Sequence, residues 1–294
     1  MSGLLLALAI GLGVSQGVAW PAGGWRVVHQ QESDGRFNAT QVASWEQVVQ
    51  RWQVGAPAPD GRIPVQVQGL TGHKRAVGEG PDGPFSQQTR LEAGPAADAA
   101  ALWWQISGRA PKALWLSPDG QRVVDARWVE GAAAVKARFL DAGGDPEALP
   151  PGLDTVLAEA VDPERLTRLL PQVGADGRVT RRAVPSLMGA TLHQTLWHRR
   201  GDGPEGTVDA FDGEGTLTGS TALFWMVAVQ MNRIHGHSAL DAQGRPQARV
   251  ERLEVAGRVL RPPDKRGPGE APYGPLRFDI LTETTWAPEP TPAP

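Results

Sequence analysis

The 294-residue chain contains no cysteine. That absence excludes a disulfide framework and lipid attachment to a cysteine behind an export signal. No His-Glu-x-x-His or P-loop lysine motif occurs either, so no zincin or P-loop enzyme is indicated. An excess of charge of one sign is also missing. The net charge of −3 offers nucleic acid or anionic lipid no electrostatic hold. Lysine occurs 4 times against 25 arginines, with 36 glycines and 26 prolines. A GC-rich coding sequence gives that bias, so glycine-rich stretches here are not read as phosphate loops. Tyrosine occurs once and tryptophan 11 times, and large aromatic side chains either fill cores or line clefts.

The apolar run Leu4 to Val14 has the shape of a signal-peptide core, and Gly17 and Ala19 stand at the −3 and −1 positions of a cleavage site before Trp20. A spanning helix needs roughly 20 apolar residues, so the run predicts export with cleavage after Ala19 and no permanent membrane span. An uncleaved anchor and a buried core strand are the competing readings. The expected protein is periplasmic or extracellular, with residues 1–19 removed.

Most of the remaining pattern has period two, the mark of strands. Trp25, Val27 and His29 alternate with polar residues, as do Ile63, Val65 and Val67, with Pro64 favouring a sheet edge. Leu114 and Leu116 lead into the turn Ser117-Pro118-Asp119-Gly120, and Val124, Ala126 and Trp128 leave it on one face as a hairpin. Leu276, Phe278 and Ile280 begin a strand that runs to Trp286. Leu223 to Val229 reads as a buried strand or short helix. Between the strand sets, Leu153, Val156, Leu157, Ala160 and Val161 form a helical stripe, and Asp162-Pro163 caps a second helix. Residues 131–141 suggest a further helix.

The predicted fold is mainly β with a few helices: an antiparallel curved sheet or partial barrel burying the 152–170 helices on its concave side. One large domain spans 20–286, in halves of about 24–130 and 173–286 joined by the helical segment 131–172. A disordered proline-rich tail, 287–294, follows. A weak duplication is suggested by Ala101-Leu102-Trp103-Trp104 against Ala222-Leu223-Phe224-Trp225. Arg261 to Pro275 reads as a loop.

This order of long strands, a Ser-Pro-Asp-Gly turn, a helical interlude and a second strand set resembles exported bacterial proteins built as half-barrels, similar to periplasmic lipoprotein carriers. The resemblance covers residues 24–286 by pattern alone, and it implies a hydrophobic ligand on the concave side.

Function is expected to be non-catalytic: holding an apolar small molecule or an envelope protein, without a cofactor. Trp103, Trp104, Trp115, Trp128, Trp197, Phe224 and Trp225 are the candidate cleft residues, each weighed against simple core packing. A structural or assembly subunit of the envelope is the first alternative. The second is a metal-dependent enzyme using His235 and His237, which share one face of a strand and need a third ligand such as His29, His193 or Asp241. Asp209, Asp212 and Glu214 fail the calcium-loop spacing, and Asp212-Gly213 reads as a hairpin turn with arms 207–211 and 216–220.

Overall fold

The computed structural model describes residues 17–37, 40–80, 82–92, 96–149, 152–174, 176–185, 191–204, 206–218, 226–260 and 273–289. The chain opens as a meander of β1 (Gly23–Phe37), β2 (Thr40–Val54), β3 (Ile63–Gly80) and β4 (Gly83–Arg90). Helix α1 (Ala99–Arg109) follows, its first turn capped by Asp98, which accepts from the Ala101 N–H at 2.8 Å. The hairpin β5 (Lys112–Leu116) and β6 (Val123–Trp128) precedes α2 (Ala132–Asp141), a 3-10 turn at Pro146–Ala148, α3 (Leu153–Glu159) and α4 (Pro163–Thr167). The second strand set comprises β7 (Val179–Pro185), β8 (Thr191–Gly203), β9 (Gly206–Thr218), β10 (Met226–Asp241), β11 (Pro246–Leu260) and β12 (Tyr273–Pro288).

All twelve strands form one antiparallel sheet in the order β6-β5-β3-β2-β1-β12-β11-β10-β9-β8-β7, with β4 against the far half of β3. The two strand-rich halves are joined at the centre by β1 and β12, which pair from Trp25↔Pro288 to Phe37↔Leu276. The sheet does not close on itself: β6 and β7 end it, and α4 lies against both. The expectation of a curved mainly-β sheet is met, and α4 with the segment after it occupies the concave side.

Alternation fixes the two faces. The inward core at one end gathers Trp25, Val27, Trp52, Val54, Leu116 and Trp286. Trp20, from the segment before β1, stacks on Trp52 at 5.7 Å and meets Trp25 and Trp286 edge-on. Such aromatic contacts each add about 0.5–1.5 kcal/mol beyond area burial. Val18 joins this core at 4% exposure, and its N–H donates to the Asp119 carbonyl at 2.8 Å. The Ala19 N–H donates to the Gly244 carbonyl at 2.9 Å. The expected cleavage point after Ala19 therefore falls inside packed structure. A second core joins α1, α2 and α3 to Trp128, and a third is a stripe of Leu196, Phe211, Ile234 and Leu253 across β8 to β11.

Several local expectations are corrected. Asp212-Gly213 is not a turn but lies in the middle of β9, opposite Trp197-Leu196 and His235-Ile234. Tertiary pairing on both sides overrides its turn propensity. Ala101 to Trp104 is helical, within α1, and its suggested counterpart, Ala222 to Trp225, lies outside the described residues. Val124 does not share a face with Trp128. A bulge opposite Trp115 and Leu116 puts Val123 inward and leaves Val124 42% exposed. Pro64 is not on the sheet edge, because β5 pairs beyond it (Pro64↔Trp115), although β2 has ended one position away at Val54↔Val65. In the segment read as a buried strand or short helix, residues 226–229 lie in strand β10 and 223–225 lie outside the described residues, while β12 begins at Tyr273, inside the segment read as a loop.

Candidate functional site

The concave face is where a carrier would hold its ligand, and here the chain itself fills it. Residues 163–174 cross from one sheet edge to the other as a strap. At the β6 side, the Val123 N–H donates to Thr167 Oγ1 at 2.9 Å, giving an edge-strand donor its partner. The Val173 N–H donates to Gln121 Oε1 at 3.0 Å, and Gln172 Nε2 donates to the Gln121 carbonyl at 3.3 Å. On the opposite side, the Gln172 N–H donates to Ser238 Oγ at 3.1 Å and the Gly174 N–H to Asp209 Oδ2 at 2.7 Å. Leu170, fully buried, plugs the tryptophan core.

Charge secures the middle of the strap. Arg249 donates to the Leu170 carbonyl at 3.2 Å and pairs with Glu251, which also takes Arg168 at 3.2 Å. Arg249 and Glu251 are both buried, and the Arg249 guanidinium lies 5.0 Å from the Phe211 ring centre. Beside them, His29 bonds Thr284 Oγ1 at 3.0 Å. Burial pulls the His29 imidazole below its usual range; Glu46 and Glu251 oppose that and Arg168 adds to it. Lys112, inward on β5, donates to the Ser107 carbonyl at 3.0 Å and lies 4.6 Å over the Trp128 ring. Its burial brings the ammonium pKa down to about 8.

His198 and Asp209 pair at 2.7 Å with exposures of 2% and 0%. A His–Asp pair is the orienting half of a catalytic triad, but this one is sealed from solvent and the same carboxylate oxygen receives the strap's Gly174 N–H. Its visible task is to anchor the strap.

Among the described residues, the candidate tryptophans are not gathered around one cleft. Trp128 is buried and donates to the Leu157 carbonyl at 3.2 Å. Trp103 packs edge-on against Trp128 and Phe139 at 6.5 and 5.9 Å. Trp104 reaches inward to Glu46 Oε1 at 3.2 Å. Trp115 lies under Arg62 at 5.1 Å, away from these, and Trp197 is 44% exposed on the outward face. Phe224 and Trp225 lie outside the described residues. His235 and His237 share the outward face of β10, as their spacing predicts, and both are exposed. Among the described residues no three His, Cys, Asp or Glu side chains gather as a metal site.

Among the described residues one open hollow, of about 780 Å³, lies between β3, α1 and α2, bounded by Gln68, Leu91, Gln105, Arg109 and Arg138; others lie on the outward face. One of about 700 Å³ is bounded by Glu32, Asp34, Ala43, Trp45, Arg75 and Arg252. Another, of about 720 Å³, is bounded by Arg181, His193, Thr195, Glu214 and Arg233. Trp45 went unremarked in the sequence because its neighbours break strict alternation; its place beside Glu46 on a strand was the available signal.

No family model matches the chain, and no curated protein matches it. Among solved structures it is similar to the β domain of the Bordetella autotransporter BrkA, at 9% identity and a TM-score of 0.26, over 90% of this chain and 99% of that one. OccK7 of Pseudomonas aeruginosa gives 7% identity and 0.24, over 90% and 98%. An outer-membrane channel from Pseudomonas putida F1 gives 10% and 0.25, over 94% and 98%. Likeness at that level carries no argument. The surface itself is informative: a lipid-facing barrel wall needs an apolar band about 25 Å tall, whereas the outward face here exposes Arg26, Glu32, Asp34, Arg51, Arg252 and Glu283. Among the described residues no helix is long and apolar enough to cross a membrane.

Proposed function

We propose that the protein is a non-catalytic component of the cell envelope, outside the cytoplasm, that holds a partner on its outward face. The observation that carries this reading is the strap. A carrier for an apolar molecule needs its groove free, and this groove is occupied by residues 163–174, bonded to Gln121, Val123, Asp209, Ser238, Arg249 and Glu251. The charged outward face suits an aqueous compartment, and the apolar N-terminal run supports export. The apolar-ligand reading finds no cleft lined by its tryptophans among the described residues.

Two measurements test the proposal together. Fractionation of the native host should place the chain outside the cytoplasm. A fluorescent fatty-acid probe should show only unsaturable adsorption. A cytoplasmic chain, or saturable binding with a sharp chain-length limit, would overturn it.

A further inference from the structure

The cross-strand registers align side chains from nine strands into one outward row. In the first half, Arg75, Trp45 and Glu32 stand side by side on β3, β2 and β1. Through Leu281 on β12 the row passes to Arg252 on β11. It continues through His235 and Asp212 to Trp197 on β8 and Val179 on β7. Trp45 and Trp197 are thus two aromatic platforms on one belt, six strand spacings apart, or about 29 Å along the arc at about 4.8 Å each.

Each platform has room beside it. Trp45 leans its ring toward His73, with centroids at 5.5 Å, while the small Ala43 floors the adjoining hollow of about 700 Å³. Thr195 and Glu214, two residues along from Trp197 and Asp212, border the other hollow. Trp197 itself is 44% exposed and Val179 beside it 48%, so the two present a small apolar patch at this end of the row.

The charges along the row, with Glu32, Arg252 and Asp212 between the platforms and Arg75 just beyond Trp45, select the partner. They alternate in sign: Arg75, Glu32, Arg252, Asp212. Arg252 is held by Asp279, with Nε to Oδ1 at 2.8 Å, and Arg199 holds Asp212. A polyanion lying along the belt meets Glu32, Asp34 and Asp279; a polycation meets Arg75 and Arg252. A hydroxyl donates and accepts, so it satisfies guanidinium and carboxylate alike, and those planar groups match pairs of adjacent hydroxyls. The apolar faces of sugar rings suit tryptophan platforms with one side wet. From this we infer that the belt from Trp45 to Trp197 binds an uncharged polysaccharide strand laid across the sheet. The inference rests on the reading of the outward face as the partner-binding face and names the partner's chemistry.

The test uses the full chain with chitohexaose as the probe, titrated by calorimetry, and chitobiose as the short control. The hexasaccharide should bind and the disaccharide should bind at least tenfold more weakly, because only the longer strand reaches both platforms. Trp45→Ala and Trp197→Ala should each weaken hexasaccharide binding by roughly tenfold, as expected for loss of one stacking contact, without shifting thermal unfolding. Absence of hexasaccharide binding, or binding indifferent to both substitutions, overturns the inference, as does preferential binding of heparin or polylysine. A photocrosslinker at Thr195 separates the two levels of argument. Capture of an envelope protein there, with no glycan binding, refutes the glycan while leaving the outward-face reading intact; a cytoplasmic location refutes both.

Discussion

The ring of Phe278 lies across Gly35, its direct partner on the neighbouring strand, and occupies the space where a Cβ on Gly35 would stand. The same relation holds between Phe85 and Gly78 on β4 and β3, and between Phe211 and Gly236 on β9 and β10. Strand glycines leave exposed backbone and an unfilled gap; a large residue folded over the glycine covers both, and the missing Cβ lets the concave face close up. Gly35→Val should cost about 1–3 kcal/mol by overpacking against Phe278. Adding Phe278→Ala should return part of that stability, since the valine then fills the vacated space. Urea unfolding of the two single variants and the double would check it; strictly additive losses would show that the pair does not share one site.

The N-terminal boundary gives a second expectation. Val18 is buried and Ala19 is hydrogen-bonded to Gly244, so a chain beginning at Trp20 loses about 2 kcal/mol of apolar burial from Val18 alone. It also sets a charged amino terminus beside Trp20, which is only 5% exposed. A chain beginning at Gly17 should unfold at clearly higher urea than one beginning at Trp20, and N-terminal sequencing of the native protein should find Val18 retained. Equal stability of the two would remove this argument.

Acid should weaken the fold through His29. Its folded-state pKa is lowered by burial, so the unfolded chain takes up the proton first as pH falls, and stability drops from about pH 6.5 downward. The facing charges are Glu46 on β2, Arg168 on the strap and Glu251 on β11. His29→Gln should flatten the loss between pH 7 and pH 5.5, measured as the urea midpoint against the parent chain. An unchanged slope would mean that other groups control acid sensitivity.

Lys112 acts at the other end of the scale. With a folded pKa of about 8 against the ordinary lysine value of 10.5, the unfolded chain holds its proton longer as pH rises. Stability from this group therefore increases between about pH 8 and 10.5, by at most about 3 kcal/mol. Lys112→Met should abolish that rise, and a parent chain whose stability is flat or falling relative to the variant across the window would contradict it.

How much of this was legible in the sequence depends on what each pattern reports. The Trp25-Val27-His29 and Leu276-Phe278-Ile280 alternations report burial on one face, and both lie in long strands as read. Asp162-Pro163 reports a local cap, and α4 begins there, with Asp162 accepting from the Arg165 N–H at 2.9 Å. Asp212-Gly213 misled because its local turn preference is smaller than the pairing of β9 with β8 and β10 together. The tryptophans misled for another reason: Trp128 and Trp197 look alike in sequence, yet one is 4% and the other 44% exposed. Residue type does not say which face of a sheet it will occupy. The strap's bonds to Asp209, Ser238 and Arg249 join residues 35 to 79 apart in the chain, a separation that no local pattern records.

The strap itself offers the sharpest test of the concave face. Arg249 serves the Leu170 carbonyl and Glu251 at once, and Glu251 in turn serves Arg168. Arg249→Met removes one partner from a buried carboxylate and leaves the Leu170 carbonyl short of a donor, which should cost about 3–5 kcal/mol. Arg249→Met with Glu251→Met removes both buried charges together. Replacing a buried pair by apolar side chains of similar size is often neutral or better, and Arg168, a third exposed, is free to turn to solvent. The double variant should therefore be more stable than Arg249→Met alone. Hydrogen exchange adds a local readout: in Arg249→Met the amides of Gln172 and Gly174, which donate to Ser238 and Asp209, should exchange faster than those of β1 and β12. If Arg249→Met leaves the strap amides as protected as the central strands, the ion pairs do not hold the strap, and the filled groove must be explained by Leu170 and the tryptophan core alone.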